Sequence, residues 1–130
     1  MTFQIVDTHI LLLFLQDDSK LPNEVRRLIE QGTVTSAISM ASLWEISTKV
    51  SLGKLRFDHA RNPKFPDMLQ ENGFQILPIE WSTMQKAAAL PWIHRDPFGR
   101  LIVAESLLRN ADLLSVDSKL DAYGIKRTGH

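Results

Sequence analysis

Four acidic residues from distant parts of the chain fall at predicted boundaries between strands and helices. Asp7 follows the apolar strand segment FQIV, and Asp117 follows a second such segment, LLSV. Glu45 lies one turn inside a predicted helix, and Asp96 stands at the predicted start of another. Carboxylates that converge on one site repel each other unless a cation neutralises them. Because the chain contains no cysteine, a site built from these oxygen ligands favours Mg²⁺ or Mn²⁺ over zinc.

Such a site would carry out metal-assisted attack on a phosphate, but each acid also has a purely structural interpretation. A divalent ion activates water and stabilises the charge that develops on a phosphate under in-line attack. Aspartate is a favoured helix cap, worth about 1 kcal/mol, and Glu45 can pair with Lys49 for roughly 0.2–0.5 kcal/mol. Taken singly, Glu45 and Asp96 favour the structural interpretation. Asp7 and Asp117 favour neither, so spacing alone leaves both interpretations open.

The segments that would position these acids alternate between strands and helices. Short apolar or β-branched runs predict strands at 3–6, 33–39, 74–79 and 113–116, with a short fifth at 124–128. Helical spacing predicts helices at 9–15, 22–31, 41–52, 82–90 and 96–109, and residues 56–66 are expected to be irregular. This alternation predicts an α/β fold with a mostly parallel central sheet covered by helices on both faces. In such sheets the binding site lies outside the carboxyl ends of the strands.

The composition indicates one soluble globular domain without disulfides. The chain has 130 residues, of which 44% are hydrophobic, and no apolar run approaches a membrane-spanning length. Fifteen basic residues balance fifteen acidic ones, so net charge gives no support for a nucleic-acid partner. The first residues, MTFQIVDTH, lack the pattern of a secretory signal, and a cytoplasmic location is therefore expected.

Other residues that could bind a ligand or a metal ion give weaker signals. His9 and His94 stand alone in the sequence, so surface or packing roles are expected for them rather than metal ligation. The three tryptophans are expected in the core or in an interface. His94, Arg95 and Arg100 form a small basic group beside Asp96. This group would either hold a phosphate or belong to an ordinary exposed helix start.

Four blocks of the sequence carry a family resemblance. They read IVDTHILL, SAISMASLWEISTKVSLGKL, LPWIHRDPFGRLIVAESL and LLSVDSKLDAYGI. In content and order they resemble the signature blocks of VapC-type PIN domains, the ribonuclease toxins of type II toxin–antitoxin pairs. The resemblance implies a single PIN domain over residues 1–130 with an α/β/α fold and a Mg²⁺- or Mn²⁺-dependent endoribonuclease activity that hydrolyses RNA. It also implies a homodimer and a cognate antitoxin that inserts into the active-site groove.

The same resemblance assigns roles to individual residues and exposes one departure. Asp7, Glu45 and Asp117 match metal-binding acids, and Ser115 falls where a Thr or Ser commonly positions the site. The remaining family acid is the second aspartate of HRDPFDR, but this chain reads HRDPFGR, with Gly99 in its place. Asp96, three residues earlier, is the nearby acid that could substitute, although it is also the expected helix cap.

Local physics makes Gly99 look out of place. In the first turn of a helix an acid supports capping and the helix dipole, whereas glycine costs up to roughly 1 kcal/mol of helix propensity. Three explanations stay open: an introduced or selected inactivating change, a naturally degenerate site that still binds antitoxin or RNA, and a site that works weakly. The first is favoured.

Two functional hypotheses follow. The leading one is an RNA-cleaving toxin whose metal is held chiefly by Asp7 and Asp117, while Glu45 helps to bind it or orients the attacking water and Asp96 is auxiliary. The alternative is a catalytically silent PIN scaffold that binds antitoxin or RNA without cutting. A phosphoacceptor receiver domain fits poorly, because the first strand is followed by a single acid rather than a pair. The helix at 9–15 and the region 81–90 are candidate dimer or antitoxin contacts, which core packing explains equally well.

Overall fold

Five short parallel strands form the central sheet of the protein. The structure, a computed structural model, describes residues 3–129. The strands are β1 (Phe3–Val6), β2 (Thr35–Ser39), β3 (Gln75–Leu77), β4 (Asp112–Leu114) and β5 (Arg127–Thr128). They lie in the order β3-β2-β1-β4-β5. Every neighbouring pair of these strands is parallel, which confirms the predicted sheet and makes it parallel throughout.

Both faces of the sheet are apolar, which explains why helices cover both. Successive residues of a strand point to opposite faces. Ile5 and Leu113 pack in one buried cluster, whereas their neighbours Val6 and Leu114 pack in the other. A sheet that is buried on both sides needs helices on each side, and the predicted α/β/α architecture is therefore confirmed.

Within residues 3–129, six α-helices surround the sheet. They are α1 (Thr8–Leu15), α2 (Asn23–Gln31), α3 (Met40–Ser51), α4 (Phe65–Glu71), α5 (Trp81–Ala89) and α6 (Pro97–Arg109). Two 3₁₀ helices span Asp58–Arg61 and Ser118–Tyr123. The first four α-helices contribute to the cluster around Val6, and the last two contribute to the cluster around Ile5. Within residues 3–129 no helix is long and apolar enough to cross a membrane.

The irregular stretch predicted at 56–66 is wrong in part. It contains the 3₁₀ helix Asp58–Arg61 and the first turn of α4. Pro66 occupies that first turn, where its missing N–H removes no hydrogen bond, because the first amides of a helix have no helical partner. Phe65 and Leu69 then bury the inner face of α4. One of the two prolines in this stretch therefore stands in a helix start.

Candidate active site

Asp7 and Asp117 lie at the carboxyl ends of two adjacent strands, where the strand order reverses. β1 pairs with β2 on one side and with β4 on the other. The chain therefore runs from β1 through β2 to β3 in one direction and then crosses back to β4 on the opposite side of β1. Such a reversal opens a crevice at the carboxyl edge of the sheet. The amide of Asp7 donates to the carbonyl oxygen of Leu114 at 3.0 Å, which extends the pairing of β1 and β4 to the edge of this crevice. The two aspartates therefore lie at the edge of the sheet where the strand-end rule predicted a site.

Ser115 connects the two aspartates through one hydroxyl group. It is fully buried, and its Oγ donates to Asp7 Oδ2 at 2.6 Å, across a separation of 108 residues. The same Oγ accepts a hydrogen bond from the amide of Asp117 at 3.1 Å. A Cβ at Gly129 would lie 2.5 Å from the carbonyl oxygen of Ser115, so only glycine lets the chain after β5 pack this closely behind the site.

The Asp7 carboxylate is electrostatically strained by its surroundings. Burial is the largest cause that raises its pKa above the ordinary value of 3.8, and hydrogen bonds from Ser115 and the Thr8 amide oppose this effect. The negative charges of Glu45 and Asp117 raise the pKa further. The structure thus brings three of the four sequence-predicted acids close enough for their charges to interact. A bound cation would relieve this strain.

Glu45 is buried on α3 and already has a counter-charge. Its Oε2 lies 2.5 Å from Lys49 Nζ, one turn further along the helix, so the ion pair expected from the sequence is present. The helix is tied to α1 beside Asp7 by the hydroxyl of Thr8, which donates to Ser42 Oγ at 2.9 Å. This buried contact keeps Glu45 on the same side of the sheet as Asp7.

His94, which is isolated in the sequence, contacts Asp117 and Asp96 in the structure. Its Nε2 lies 3.1 Å from Asp117 Oδ2, and its Nδ1 accepts a hydrogen bond from the amide of Asp96 at 3.1 Å. The other oxygen of Asp117, Oδ1, accepts from the amide of Lys119 at 3.1 Å. His94 and Asp117 are 23 residues apart in sequence, so no local pattern could have indicated this contact.

Asp96 caps α6 and lies against Gly99. Its Oδ1 accepts a hydrogen bond from the amide of Phe98 at 3.1 Å, as the structural interpretation predicted. A Cβ at Gly99 would lie 3.3 Å from Asp96 Oδ2. The second oxygen of Asp96 therefore packs against the point from which a side chain at position 99 would project.

Arg100 is a buried side chain that holds backbone segments together. The predicted role in a phosphate site or at an exposed helix start is therefore wrong for this residue. It is only 3% exposed. Its guanidinium carbon lies 3.6 Å from the centroid of the Trp92 ring. It donates hydrogen bonds to four backbone carbonyl oxygens, those of Ala87 (2.6 Å), Leu90 (2.9 Å), Pro91 (2.9 Å) and His94 (3.3 Å). These contacts fix the segment between α5 and α6, including the backbone of His94.

We expect Arg100→Met to destabilise the fold by about 3 kcal/mol or more, because each buried carbonyl left without a donor costs about 1–3 kcal/mol. Arg100→Lys keeps the charge but cannot reproduce the planar fork of donors, so we expect an intermediate loss. Denaturant-induced unfolding measures both free energies. A Met variant within about 0.5 kcal/mol of the parent, the range of ordinary surface substitutions, would show that these bonds do not hold the segment.

The tryptophans are not core residues. Trp44, Trp81 and Trp92 are 63%, 69% and 70% exposed. The core location expected for them is therefore wrong, and the interface location stays a prediction. In α1 the opposite holds, since Ile10, Leu11 and Leu13 are buried in the core. Core packing therefore accounts for much of the apolar character of that helix.

The donor set fits a hard divalent cation, although its side chains are engaged with other partners. Within residues 3–129 no three acidic or histidine side chains stand close enough together to hold a metal ion. Glu45 is paired with Lys49, and Asp117 with His94. The carboxylate oxygens of Asp7, Glu45 and Asp117 are nevertheless the ligand type that Mg²⁺ and Mn²⁺ prefer. Their mutual repulsion at Asp7 is what such an ion would offset.

Comparison with solved structures identifies proteins that share this fold. The chain is similar in structure to VapBC2 from Rickettsia felis bound to a DNA fragment from its promoter (17% identity, TM-score 0.70, 98% of both chains covered). It is also similar to DNA-bound VapBC from Salmonella typhimurium (15% identity, TM-score 0.71, 98% of both chains). A third similar structure is FitAcB from Neisseria gonorrhoeae (16% identity, TM-score 0.64, 97% of this chain and 96% of that chain).

At these identities the structural likeness concerns the fold alone, and the family assignment rests on the sequence. No curated protein matches the chain. The family model described as the PIN domain matches residues 5–126, which include Asp7, Glu45 and Asp117. Because this match covers nearly the whole chain, the protein belongs to the PIN domain family.

Proposed function

We propose that this PIN domain is a Mg²⁺- or Mn²⁺-dependent endoribonuclease toxin of a type II toxin–antitoxin system, and that Gly99 lowers its activity. PIN domains are generally nucleases, which supports the reaction class. The observation that carries the proposal is the position of Asp7 and Asp117 at the carboxyl edge of β1 and β4, joined through Ser115. The negative charge of Glu45 raises the pKa of Asp7, which supports Glu45 as a third acid of the same site.

The residues would divide the work between holding a cation and preparing the site for it. Asp7 and Asp117 would hold the ion chiefly, with Glu45 binding it or orienting water, and Asp96 auxiliary. When bound, the ion supplies a water of lowered pKa and neutralises charge on the phosphate. Ser115 keeps one Asp7 oxygen in a fixed direction by its hydrogen bond at 2.6 Å, so less orientational freedom is lost when the ion binds.

A catalytically silent PIN scaffold is the second candidate, and one observation favours it. The family acid at position 99 is replaced by glycine, and the described side chains include no group of three metal-ligating residues in contact. A site with fewer acids binds its ion more weakly. Such a chain would retain the fold and the surface that partners recognise but would cut RNA slowly or not at all.

The proposed partners are RNA as substrate, a cognate antitoxin as inhibitor, and a second copy of the chain. The structures to which the chain is similar include a toxin–antitoxin complex from Klebsiella pneumoniae (16% identity, TM-score 0.65), which supports an antitoxin partner. The single domain over residues 1–130 and the cytoplasmic location are part of the same proposal. The exposed Trp44, Trp81 and Trp92 are available for protein contacts.

RNA cleavage with added Mn²⁺ tests the proposed function. We expect the chain to cut single-stranded or structured RNA slowly in Mn²⁺, and a chelator to stop the reaction. Asp117→Asn, which removes one negative charge from the site at constant shape, is expected to abolish cleavage. Metal-dependent cutting that persists at full rate in Asp117→Asn would contradict the assignment. Tight binding of RNA without cleavage by the native chain would favour the silent scaffold.

Lys49 offers a separate prediction, because a cation must compete with it for Glu45. We expect Lys49→Met to lower the dissociation constant for Mn²⁺ by roughly 3- to 10-fold, a modest change because the lysine is partly exposed and water screens the pair. Calorimetric titration measures the dissociation constant. Lys54→Met is the control, since Lys54 lines the same pocket as Glu45 and Lys49 but forms no ion pair with Glu45. Unchanged or weaker Mn²⁺ binding in Lys49→Met would show that the lysine does not compete.

A further inference from the structure

The two ring nitrogens of His94 have opposite roles, and together they determine its protonation pattern. The amide of Asp96 can only donate, so the Nδ1 that it approaches at 3.1 Å must carry a lone pair. A neutral imidazole with an unprotonated Nδ1 carries its proton on Nε2. That proton is directed at Asp117 Oδ2, 3.1 Å away, and a carboxylate accepts it. Both contacts therefore require the same tautomer.

Neither nitrogen of His94 is then available to bind a metal ion. One lone pair is used by the Asp96 amide, and the other nitrogen is a donor toward Asp117. His94 is therefore excluded as a ligand in this arrangement. It acts instead on the orientation of the Asp117 carboxylate.

The segment that carries His94 is fixed before any ligand arrives. The amide of His94 donates to the Tyr123 hydroxyl at 2.9 Å, and its carbonyl oxygen accepts from buried Arg100 at 3.3 Å. The Tyr123 hydroxyl in turn donates to the carbonyl oxygen of Pro91 at 3.0 Å. Backbone contacts on both sides of His94 hold its ring where it meets Asp117, so no ordering cost is added when the site is used.

We propose that His94 is a positioning residue for the candidate site: it fixes the Asp117 carboxylate in a single orientation through its Nε2–H, and by doing so strengthens cation binding. The proposal rests on the proposed metal site for its effect on affinity, but the tautomer it requires exists without any metal. Asp117 needs such a partner because its side chain is 36% exposed. The other side-chain hydrogen bond that Asp117 accepts within residues 3–129 is local and comes from the amide of Lys119.

Two substitutions distinguish the contribution of Nε2 from that of Nδ1. In His94→Gln an amide nitrogen can reach the place of Nε2 and donate to Asp117, whereas in His94→Asn the side-chain oxygen takes the place of Nδ1 and keeps only the Asp96 contact. Loss of a partner that orients a metal ligand typically lowers affinity about 10- to 100-fold. We therefore expect Mn²⁺ affinity to fall about 10-fold or more in His94→Asn and to stay within about 3-fold of the parent in His94→Gln. Calorimetric titration of Mn²⁺ gives both values.

Thermal unfolding without metal accompanies these titrations. A purely structural role predicts equal losses of Mn²⁺ affinity in the two variants, in proportion to their loss of stability, and that result would overturn the proposal. Unchanged Mn²⁺ affinity in His94→Asn would also overturn it. Rescue by glutamine alone, with similar melting temperatures for both variants, supports it.

A second measurement distinguishes a failure of this inference from a failure of the proposed function. If the native chain binds no Mn²⁺, the proposed metal site is wrong. The positioning role of His94 is then tested by measuring its tautomer alone. Long-range ¹H–¹⁵N correlation of the metal-free protein at neutral pH is expected to show His94 protonated only on Nε2, with averaging of the two tautomers in Asp117→Ala. Averaged or Nδ1-protonated signals in the native chain would overturn the positioning role even if the metal binds.

Discussion

We expect Gly99→Asp to increase Mn²⁺-dependent RNA cleavage by roughly 100-fold or more, the scale typical of a missing electrostatic contributor that is returned to a site. A carboxylate at this position starts from the first turn of α6, beside Asp96. Its Cβ would lie 3.3 Å from Asp96 Oδ2, so the Asp96 side chain must move by a few tenths of an ångström. The contact is with a side chain and not with backbone, so this shift is feasible.

The added acid also changes stability in a way that depends on metal. Aspartate has a better helix propensity than glycine, and it complements the helix dipole in the first turn. Repulsion from Asp96 opposes these gains until a cation is bound. We therefore expect the metal-free melting temperature of Gly99→Asp to stay close to that of the parent. On adding Mn²⁺, the melting temperature of the variant should rise more than that of the parent.

Gly99→Asn is the matched control for this experiment. It has the shape of aspartate and the same backbone preferences but carries no charge, so it should leave cleavage at the parent rate. Equal rates in the Asn and Asp variants would mean that helix stability, and not a fourth acid, limits activity. If neither the parent nor Gly99→Asp cuts RNA with any divalent ion, the silent scaffold is the better description. If the parent cuts as fast as the variant, the site works without an acid at position 99.

Asp7→Asn is expected to abolish metal-dependent cleavage and yet to stabilise the metal-free protein. The pKa of Asp7 is raised above 3.8, chiefly by burial, with the charges of Glu45 and Asp117 adding to the effect. The native state therefore binds this proton more tightly than the unfolded state, and the ionised carboxylate is a cost at neutral pH. Asparagine removes the charge and keeps an oxygen for the Thr8 amide, at the cost of the hydrogen bond that Ser115 donates to the other oxygen. Relief of such strain at functional sites commonly adds about 0.5–2 kcal/mol.

The pH dependence of this stabilisation has a definite sign. A raised carboxyl pKa makes the contribution of Asp7 most favourable below its unfolded value of 3.8, and that contribution is lost as pH rises through the higher folded value. The melting temperature of Asp7→Asn should exceed that of the parent by a few degrees at pH 7, at about 2–8 °C per kcal/mol. The difference should shrink as pH falls toward 3.8.

We expect Mn²⁺ to reverse the order of the two melting temperatures. Binding to the native state raises the melting temperature of the parent, and we expect no such increase in Asp7→Asn. Asp112→Asn is the control, because Asp112 is exposed at the opposite, amino end of β4 and should affect neither cleavage nor the response to Mn²⁺. An Asp7→Asn variant that is less stable than the parent at pH 7 would contradict the electrostatic account. One that still responds to Mn²⁺ would contradict the proposed ligand role.

Much of the architecture could be predicted because it depends on local patterns. Alternation of short apolar runs with helical spacing indicated the parallel sheet, and most element boundaries fall within two residues of the prediction. Asp7 and Asp117 could be placed at the carboxyl edge because each directly follows or closely follows its strand. The cap at Asp96 and the pair of Glu45 with Lys49 were equally accessible, since each depends on residues two to four positions apart.

The family resemblance added what local patterns could not. It indicated that acids far apart in the chain belong to one site, and the match to the PIN domain over residues 5–126 confirms the family. It also made Gly99 conspicuous, which neither composition nor spacing would have done. The roles of the individual acids stay predictions until metal binding and cleavage are measured.

The sequence by itself determined the order of strands and helices, the caps and the edge of the sheet at which the acids stand, because these depend on neighbours along the chain. Only the tertiary structure decided which distant groups meet. Arg100 turned inward to four carbonyl oxygens and not outward to a phosphate, and His94 met Asp117 rather than solvent. A buried hydrogen-bonding group takes whichever partner the packing of the chain brings within 3 Å or so. The partner therefore depends on the tertiary packing of the whole chain, which produces no periodic pattern in the sequence.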